Sequence, residues 1–164
     1  MTTSTLTRPH RGAPAWLALL AYGAATAAAA VIGGVAASSS VETYRQLDLP
    51  PFAPPSAVFG PVWTVLYVLI AVSGWLVWRR VGLDASMVPY VLQLVLNALW
   101  TPLFFAAGWY DVALVEILAL LAAVAWTIAA FRTRSAPAAV LLVPYLAWVG
   151  FATALNASIW WLNR

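Results

Sequence analysis

The sequence predicts an all-α integral membrane protein, a five-transmembrane-helix bundle folded as one domain, and three observations carry that expectation. Of 164 residues, 64% are hydrophobic and 8% charged, with a mean hydropathy of +0.89, far from the composition of a soluble domain. The charged positions divide the chain into uncharged runs of about 20 residues or more, the length a spanning helix needs. Connections between these runs are short, so successive helices must be antiparallel neighbours. The 10 Trp are a separate anomaly, because apolar spans are built mainly from Leu, Ile, Val and Ala.

A polar tail, residues 1–14, precedes the first helix, expected at about 15–37. Its apolar run exceeds the roughly 7 to 15 residues of a secretory signal, so a retained span is expected. Ala25, Ala29 and Gly33 recur at four-residue spacing and permit close backbone approach, within the bundle or across a dimer. Residues 38–55 follow as a lid loop. Pro50, Pro51, Pro54 and Pro55, with Pro61 just beyond, fix φ and lower the chain entropy lost on ordering, which makes the lid stiff. The second helix, 56–79, takes Pro61 in its first turn, where a missing N–H costs little. The third is placed at 86–107. The fourth, 111–132, starts at Asp111, whose carboxylate is read as a cap complementing the helix dipole. Glu116 lies a turn deeper and is expected to make an interface or interhelical hydrogen bond. The fifth helix is placed at 136–161.

All eight basic residues are Arg. Five spans put Arg8, Arg11, Arg79, Arg80, Arg132 and Arg134 on one side and Arg45 and Arg164 on the other, so the N-terminus is expected in the cytoplasm and the C-terminus outside. These arginines flank apolar runs and form no phosphate-tracking patch, which excludes a nucleic-acid partner. With no Cys and a single His, His10 in the tail, disulfides, thiolate or His-rich metal sites and the usual axial haem ligand are excluded, and no bound metal or tightly held cofactor is expected. No acid/base pair or activated nucleophile suggests ordinary catalysis.

The polar and aromatic side chains form stripes. Trp63 and Tyr67 stand one turn apart on the second helix, with Gly74 on the same side. Gln93, Asn97, Trp100 and Phe104 step by four, three and four along the third. Tyr145, Trp148, Ala152 and Asn156 step by three, four and four along the fifth. Amides are expensive in hydrocarbon unless paired, so Gln93, Asn97 and Asn156 should face the interior and carry their neighbouring indoles inward. Trp16, Trp78, Trp109, Trp160 and Trp161 lie at span ends and read as an interfacial belt. Trp63, Trp100 and Trp148 do not, and an internal cavity beneath the lid would bring them together, with small Ala152 leaving room.

Three motifs in order, LPPFAPPSAVFGPVWTVLY (residues 49–67), QLVLNALWTPLFF (93–105) and PYLAWVGFATALN (144–156), resemble the TspO/MBR family of tryptophan-rich sensory and translocator proteins. The resemblance covers nearly the whole chain after the tail. It implies a five-helix protein of a bacterial cell membrane, a homodimer that binds protoporphyrin IX or a related tetrapyrrole as a sensor, regulator, receptor or carrier. Pocket residues carried over by position are Tyr44, Trp63, Asn97, Trp100, Trp148 and Ala152, joined from the stripes by Tyr67, Phe104 and Tyr145. Trp63 and Trp148 match the pair linked to light- and oxygen-dependent porphyrin breakdown, the alternative enzymatic reading; small-molecule transport is another. The chain departs from the family at Thr43 and Phe52, where tryptophans are usual. It departs again at Ala157, where the cholesterol pattern of animal members needs Tyr, which argues against sterol binding.

Overall fold

In hydrocarbon a backbone amide has no water to turn to, and the spanning segments among the described residues answer with helices. The computed structural model describes residues 15–36 and 40–164, and among them there is no strand. The elements are α1 (Ala15–Ala36), a short α2 (Ser40–Gln46), α3 (Phe59–Val81) entered through a 3₁₀ turn at Ser56–Val58, α4 (Met87–Thr101), α5 (Tyr110–Arg132), α6 (Ala136–Leu141) and α7 (Val143–Leu162). Four apolar stretches are long enough to cross a membrane: Ser56–Val81, Met87–Ala106, Tyr110–Arg132 and Ala136–Leu162. The described apolar part of α1, Trp16–Ala28, is shorter. The expectations on His10, Arg8 and Arg11 fall outside the described residues.

Two prolines shape helix ends without breaking the spans. Pro102 follows α4 and cannot donate to the preceding turn, and the chain widens there into a π-helical turn, Pro102–Ala106, closed by Ala107 N–H donating to the Pro102 carbonyl at 2.9 Å. Pro144 sits in the first turn of α7, directly after the step at Leu142 that separates it from α6. Gly82 ends α3 at φ 70°, a left-handed position that admits glycine at little steric cost, with its N–H on the Trp78 carbonyl.

Between helices, lipid gives no hydrophobic drive, so packing and interhelical hydrogen bonds hold the bundle. Ile70, Val77, Ile117, Val124, Phe131 and Leu142 form its buried spine. The Tyr90 hydroxyl donates to the Ile70 carbonyl at 3.1 Å, tying α4 to α3. The Ser73 hydroxyl donates to the Ala138 carbonyl at 2.7 Å, tying α3 to α6. α1 packs on α3 and α4 through Ala18, Tyr22 and Thr26. Ala25, expected on a close-packing stripe, is exposed. The surroundings of Ala29 and Gly33 lie outside what is described.

At one end of the bundle, Arg134 pairs with Asp84 at 2.9 Å and Arg80 donates to the Arg134 carbonyl at 3.2 Å, joining the α3–α4 and α5–α6 loops. The Ser86 hydroxyl and then the Ser86 N–H, with the Arg134 guanidinium behind them, hold the Asp84 carboxyl below its usual value. At the other end α5 begins a residue earlier than expected. Its cap position is Trp109, and Asp111, inside the first turn, accepts from the Val112 N–H at 2.8 Å.

Candidate functional site

The aromatic stripes converge. α3 supplies Phe59 and Trp63, α4 supplies Asn97 and Trp100, α5 supplies Ile117 and Leu120, and α7 supplies Trp148, Val149 and Ala152 to one cavity. Its volume is about 20 Å³, where one water needs about 10–15 Å³, so these side chains close on one another. A second narrow cavity adjoins it toward the lid. Tyr44, Phe104, Phe105, Leu155, Asn156 and Ile159 line it, and Phe59, Trp100 and Ala152 belong to both.

A ladder of hydrogen bonds fixes the ring positions. Asn97 is the centre: the Tyr67 hydroxyl donates to its Oδ1 at 2.9 Å, and its Nδ2 donates to the Tyr145 hydroxyl at 3.1 Å, linking α3, α4 and α7. Nearer the lid, Trp100 Nε1 donates to Asn156 Oδ1 at 3.2 Å, and Asn156 Nδ2 donates to the Tyr110 carbonyl at 2.9 Å, linking α4, α7 and α5. Both amides therefore use both ends of their side chains, which fixes which way each points. The Trp148 Nε1, also buried, has no acceptor among the protein groups, so its N–H is available to whatever enters.

Edge-on and tilted ring contacts fill the rest. Trp63 lies 5.4 Å from Tyr67 and 6.2 Å from Tyr145, and Phe59 lies 5.9 Å from Trp148, all within the range that aromatic quadrupoles favour. Trp100 stacks on Phe104 at 5.0 Å.

The lid is a structured cover. Its helix α2 delivers Tyr44, 5% exposed, whose hydroxyl donates to the Pro54 carbonyl at 3.0 Å and whose ring meets Phe59 at 5.6 Å. Burial pushes the Tyr44 hydroxyl above its usual pKa, so it remains a neutral donor. Asn163 clamps the lid from the end of α7: Asp48 N–H donates to its Oδ1 and its Nδ2 donates to the Asp48 carbonyl, both at 3.0 Å. Phe52 is half exposed and leans edge-on against Phe151 at 6.2 Å.

Of the residues singled out from the sequence, Trp63, Asn97, Trp100, Trp148 and Ala152 line the inner cavity. Tyr44 and Phe104 line the outer one. Tyr67 and Tyr145 stand behind the wall and orient Asn97. Phe59 was not among them, although it lies one turn before Trp63 on the same face, a spacing that could have found it. Ile117, Leu120 and Val149 carry no signal that separates a cavity wall from ordinary core. Gln93 faces the interior as expected but pairs with no protein group, and the interhelical hydrogen bond expected as one role of Glu116 is not formed. Among the described residues no group of three or more His, Asp or Glu could hold a metal.

Apolar helices of spanning length around an indole-lined cavity with a tied lid define an integral membrane protein with an aromatic interior. Comparison with known proteins gives the class its family. The TspO/MBR family model matches residues 12–162, and the chain belongs to that family. The human translocator protein is 36% identical over 154 residues, covering 90% of this chain and 91% of the human one. The tryptophan-rich protein TspO of Archaeoglobus fulgidus is 41% identical over 150 residues, 90% of this chain and 93% of its own. The tryptophan-rich sensory protein of Cereibacter sphaeroides is 36% identical over 148 residues, 90% and 92%.

Proposed function

We propose that this protein is a membrane-embedded tetrapyrrole-binding sensor or carrier whose ligand is a metal-free porphyrin of the protoporphyrin IX type. The single observation that carries this reading is the meeting of Trp63, Trp100 and Trp148 around one cavity with Asn97 and Ala152. A flat macrocycle gains most from offset stacking on indoles, and no His or Cys stands there to coordinate a metal. The closed cavity is far smaller than a porphyrin, so binding must part the rings. The Trp148 N–H is held by no protein group, so that indole can turn without breaking a hydrogen bond.

On this reading α1 spans the bilayer with the other four stretches, giving five transmembrane helices in a bacterial cell membrane. The arginine-rich end, with Arg79, Arg80, Arg132 and Arg134, faces the cytoplasm together with the N-terminus, and the lid and C-terminus lie outside. The protein works as a homodimer. Ala157, in place of the tyrosine of the animal pattern, supports a ligand other than cholesterol.

Titrating the purified chain with protoporphyrin IX while following Trp fluorescence tests the reading. Saturable quenching that weakens in Trp148→Ala supports it; no saturable quenching, or quenching unchanged in that variant, overturns it. A second reading, photo-oxidative breakdown of the bound porphyrin, draws on Trp63 and Trp148 lining the same cavity. A new absorbing product formed in light and lost in Trp63→Phe with binding retained would favour it.

A further inference from the structure

The two ends of the bundle carry opposite charge. At the lid end the acids Glu42, Asp48 and Asp111 outnumber Arg45 and Arg164. At the other end, among the described residues, Arg79, Arg80, Arg132 and Arg134 face a single carboxyl, Asp84, which Arg134 already neutralises at 2.9 Å. These arginines end α3 and α5, and the two segments close on one another beside the start of α6, where Arg80 Nη1 donates to the Arg134 carbonyl at 3.2 Å. The patch is therefore a joined one, built from both loops.

A guanidinium carries five N–H groups, and this end leaves most of them unused. Arg80 gives one to the Arg134 carbonyl, and Arg134 gives its Nε to Asp84. Arg132 is exposed and has no protein acceptor among the described residues. Arg79 is held by a ring in place of an acceptor, its Cζ lying 4.7 Å over Trp75, so its donors are also left over. Like charges gathered this closely call for an anion, and the planar fork of arginine matches phosphate oxygens two at a time.

Beneath the charges the surface turns apolar. Leu76, one turn before Arg80, is half-buried, while Val140 on α6 is 65% exposed and Val143, at the head of α7, is 51% exposed. At the loop tip beside Asp84, Leu83 is 81% exposed, an apolar side chain set among charges as at a headgroup boundary. From Ala136 to Val143 the chain descends about 10 Å at 1.5 Å per residue, within the roughly 15 Å of hydrocarbon that one leaflet supplies. A free phosphate would use the guanidinium groups and leave this apolar track bare. An amphipathic anion uses both.

We propose that this end is a binding site for an anionic phospholipid, its phosphodiester held between the arginines at 79–80 and those at 132–134, and one acyl chain laid along Leu76, Val140 and Val143. A lipid seated there braces the end of α3 against the α5–α6 loop. The site lies at the end of the bundle away from the lid and uses none of the cavity residues, so it stands or falls independently of the porphyrin reading.

The test reconstitutes the full chain in phosphatidylcholine bilayers containing a trace of spin-labelled phosphatidylglycerol or spin-labelled phosphatidylcholine, and reads the motionally restricted fraction of each label by electron spin resonance. The wild-type chain should favour phosphatidylglycerol at least about threefold. The double variant Arg79→Gln with Arg132→Gln removes two charges and neither of the bonds that join the loops, and should bring the two lipids within about 1.5-fold. Arg45→Gln, at the lid end, should leave the preference unchanged, and millimolar glycerol phosphate, the headgroup without its chains, should not displace the label. Equal association of both lipids with the wild type, or a full preference in the folded double variant, overturns the proposal. An equal loss in Arg45→Gln overturns it in favour of diffuse charge, and displacement by glycerol phosphate in favour of a simple phosphate site. If the double variant does not fold, Arg132→Gln alone decides: an undiminished preference there overturns the proposal as well.

Discussion

Ala152 is the smallest side chain on the cavity wall and lines both chambers, 8% exposed, so its methyl group sets how far Trp148 and Trp100 stand apart. Ala152→Phe should fill ligand space without breaking α7 and lower protoporphyrin affinity at least about tenfold, or about 1.4 kcal/mol, in the fluorescence titration. Overpacking costs about 1–3 kcal/mol, so a thermal melt of the same sample separates lost space from lost fold. Unchanged affinity in a folded variant would mean that the ligand does not use this wall. Gly74 carries the opposite constraint. A Cβ there would come 2.6 Å from Tyr90 Cζ and 2.9 Å from Tyr22 Cδ1, and Tyr90 cannot yield, being bonded to the Ile70 carbonyl and stacked on Phe131 at 5.6 Å. Gly74→Ala should destabilise the bundle by about 1–3 kcal/mol in a denaturation series while leaving porphyrin affinity per folded molecule unchanged. The sequence places Gly74 on the Trp63 and Tyr67 stripe, but its role is close packing against α4 and α1 at the far end from the cavity. Spacing gives the face of a helix; only the neighbouring helix decides whether that face meets a ligand or a ring.

The spanning elements were legible because hydrocarbon imposes one pattern on them: long runs without charge, interrupted by arginines and prolines. The elements that were not legible answer to partners instead of to solvent. Helix α2 is seven residues of polar sequence, SVETYRQ, without an apolar period long enough to read, and it is held by what Tyr44 meets. The clamp on Asp48 comes from Asn163, far along the chain, which no local pattern could show. Asn163→Ala removes both clamp bonds, each worth about 0.5–1.5 kcal/mol net. It should speed hydrogen exchange of the lid amides and raise the porphyrin dissociation rate about threefold or more, measured by stopped-flow fluorescence. An unchanged dissociation rate with faster exchange would show that the lid is not the exit. At the opposite end, the Asp84 contribution follows its lowered pKa. A carboxyl depressed in the folded state stabilises above its unfolded value, here 3.8, and loses that contribution as the pH falls through the folded one. Between neutral pH and about pH 5 the joint between the two loops should therefore hold, and below about pH 4 it should loosen. Limited proteolysis of the two loops across this range checks it, with Asp84→Asn expected to remove the pH dependence.

At the scale of the whole molecule, the tightly closed cavity and the size of a macrocycle raise the question of where the bundle opens. α3 and α7 touch at few points, and an apolar groove runs between them, lined by Pro61, Val62, Val65, Leu66, Pro144, Ala147, Trp148 and Phe151. Trp148 belongs to the groove and to the inner cavity at once, so one indole separates the bundle's surface from its interior. Its N–H is bonded to no protein group, whereas Trp100 is tied to Asn156, so rotation of Trp148 breaks no hydrogen bond. An apolar ligand dissolved in the bilayer meets this groove before it meets the lid. The chain has no cysteine of its own, so Val62→Cys and Ala147→Cys give a unique pair that a short bifunctional thiol reagent can join across the groove. Joining them should lower the porphyrin association rate at least about tenfold, and cleaving a reducible linker should restore it. The lid offers the competing route. In the uncross-linked double variant, Asn163→Ala should leave the association rate within about twofold if entry is from the membrane, and should raise it if entry is beneath the lid. An association rate untouched by the α3–α7 link, in a chain whose melting temperature is also untouched, would move the entrance to the lid and leave Trp148 as a wall that binds without gating.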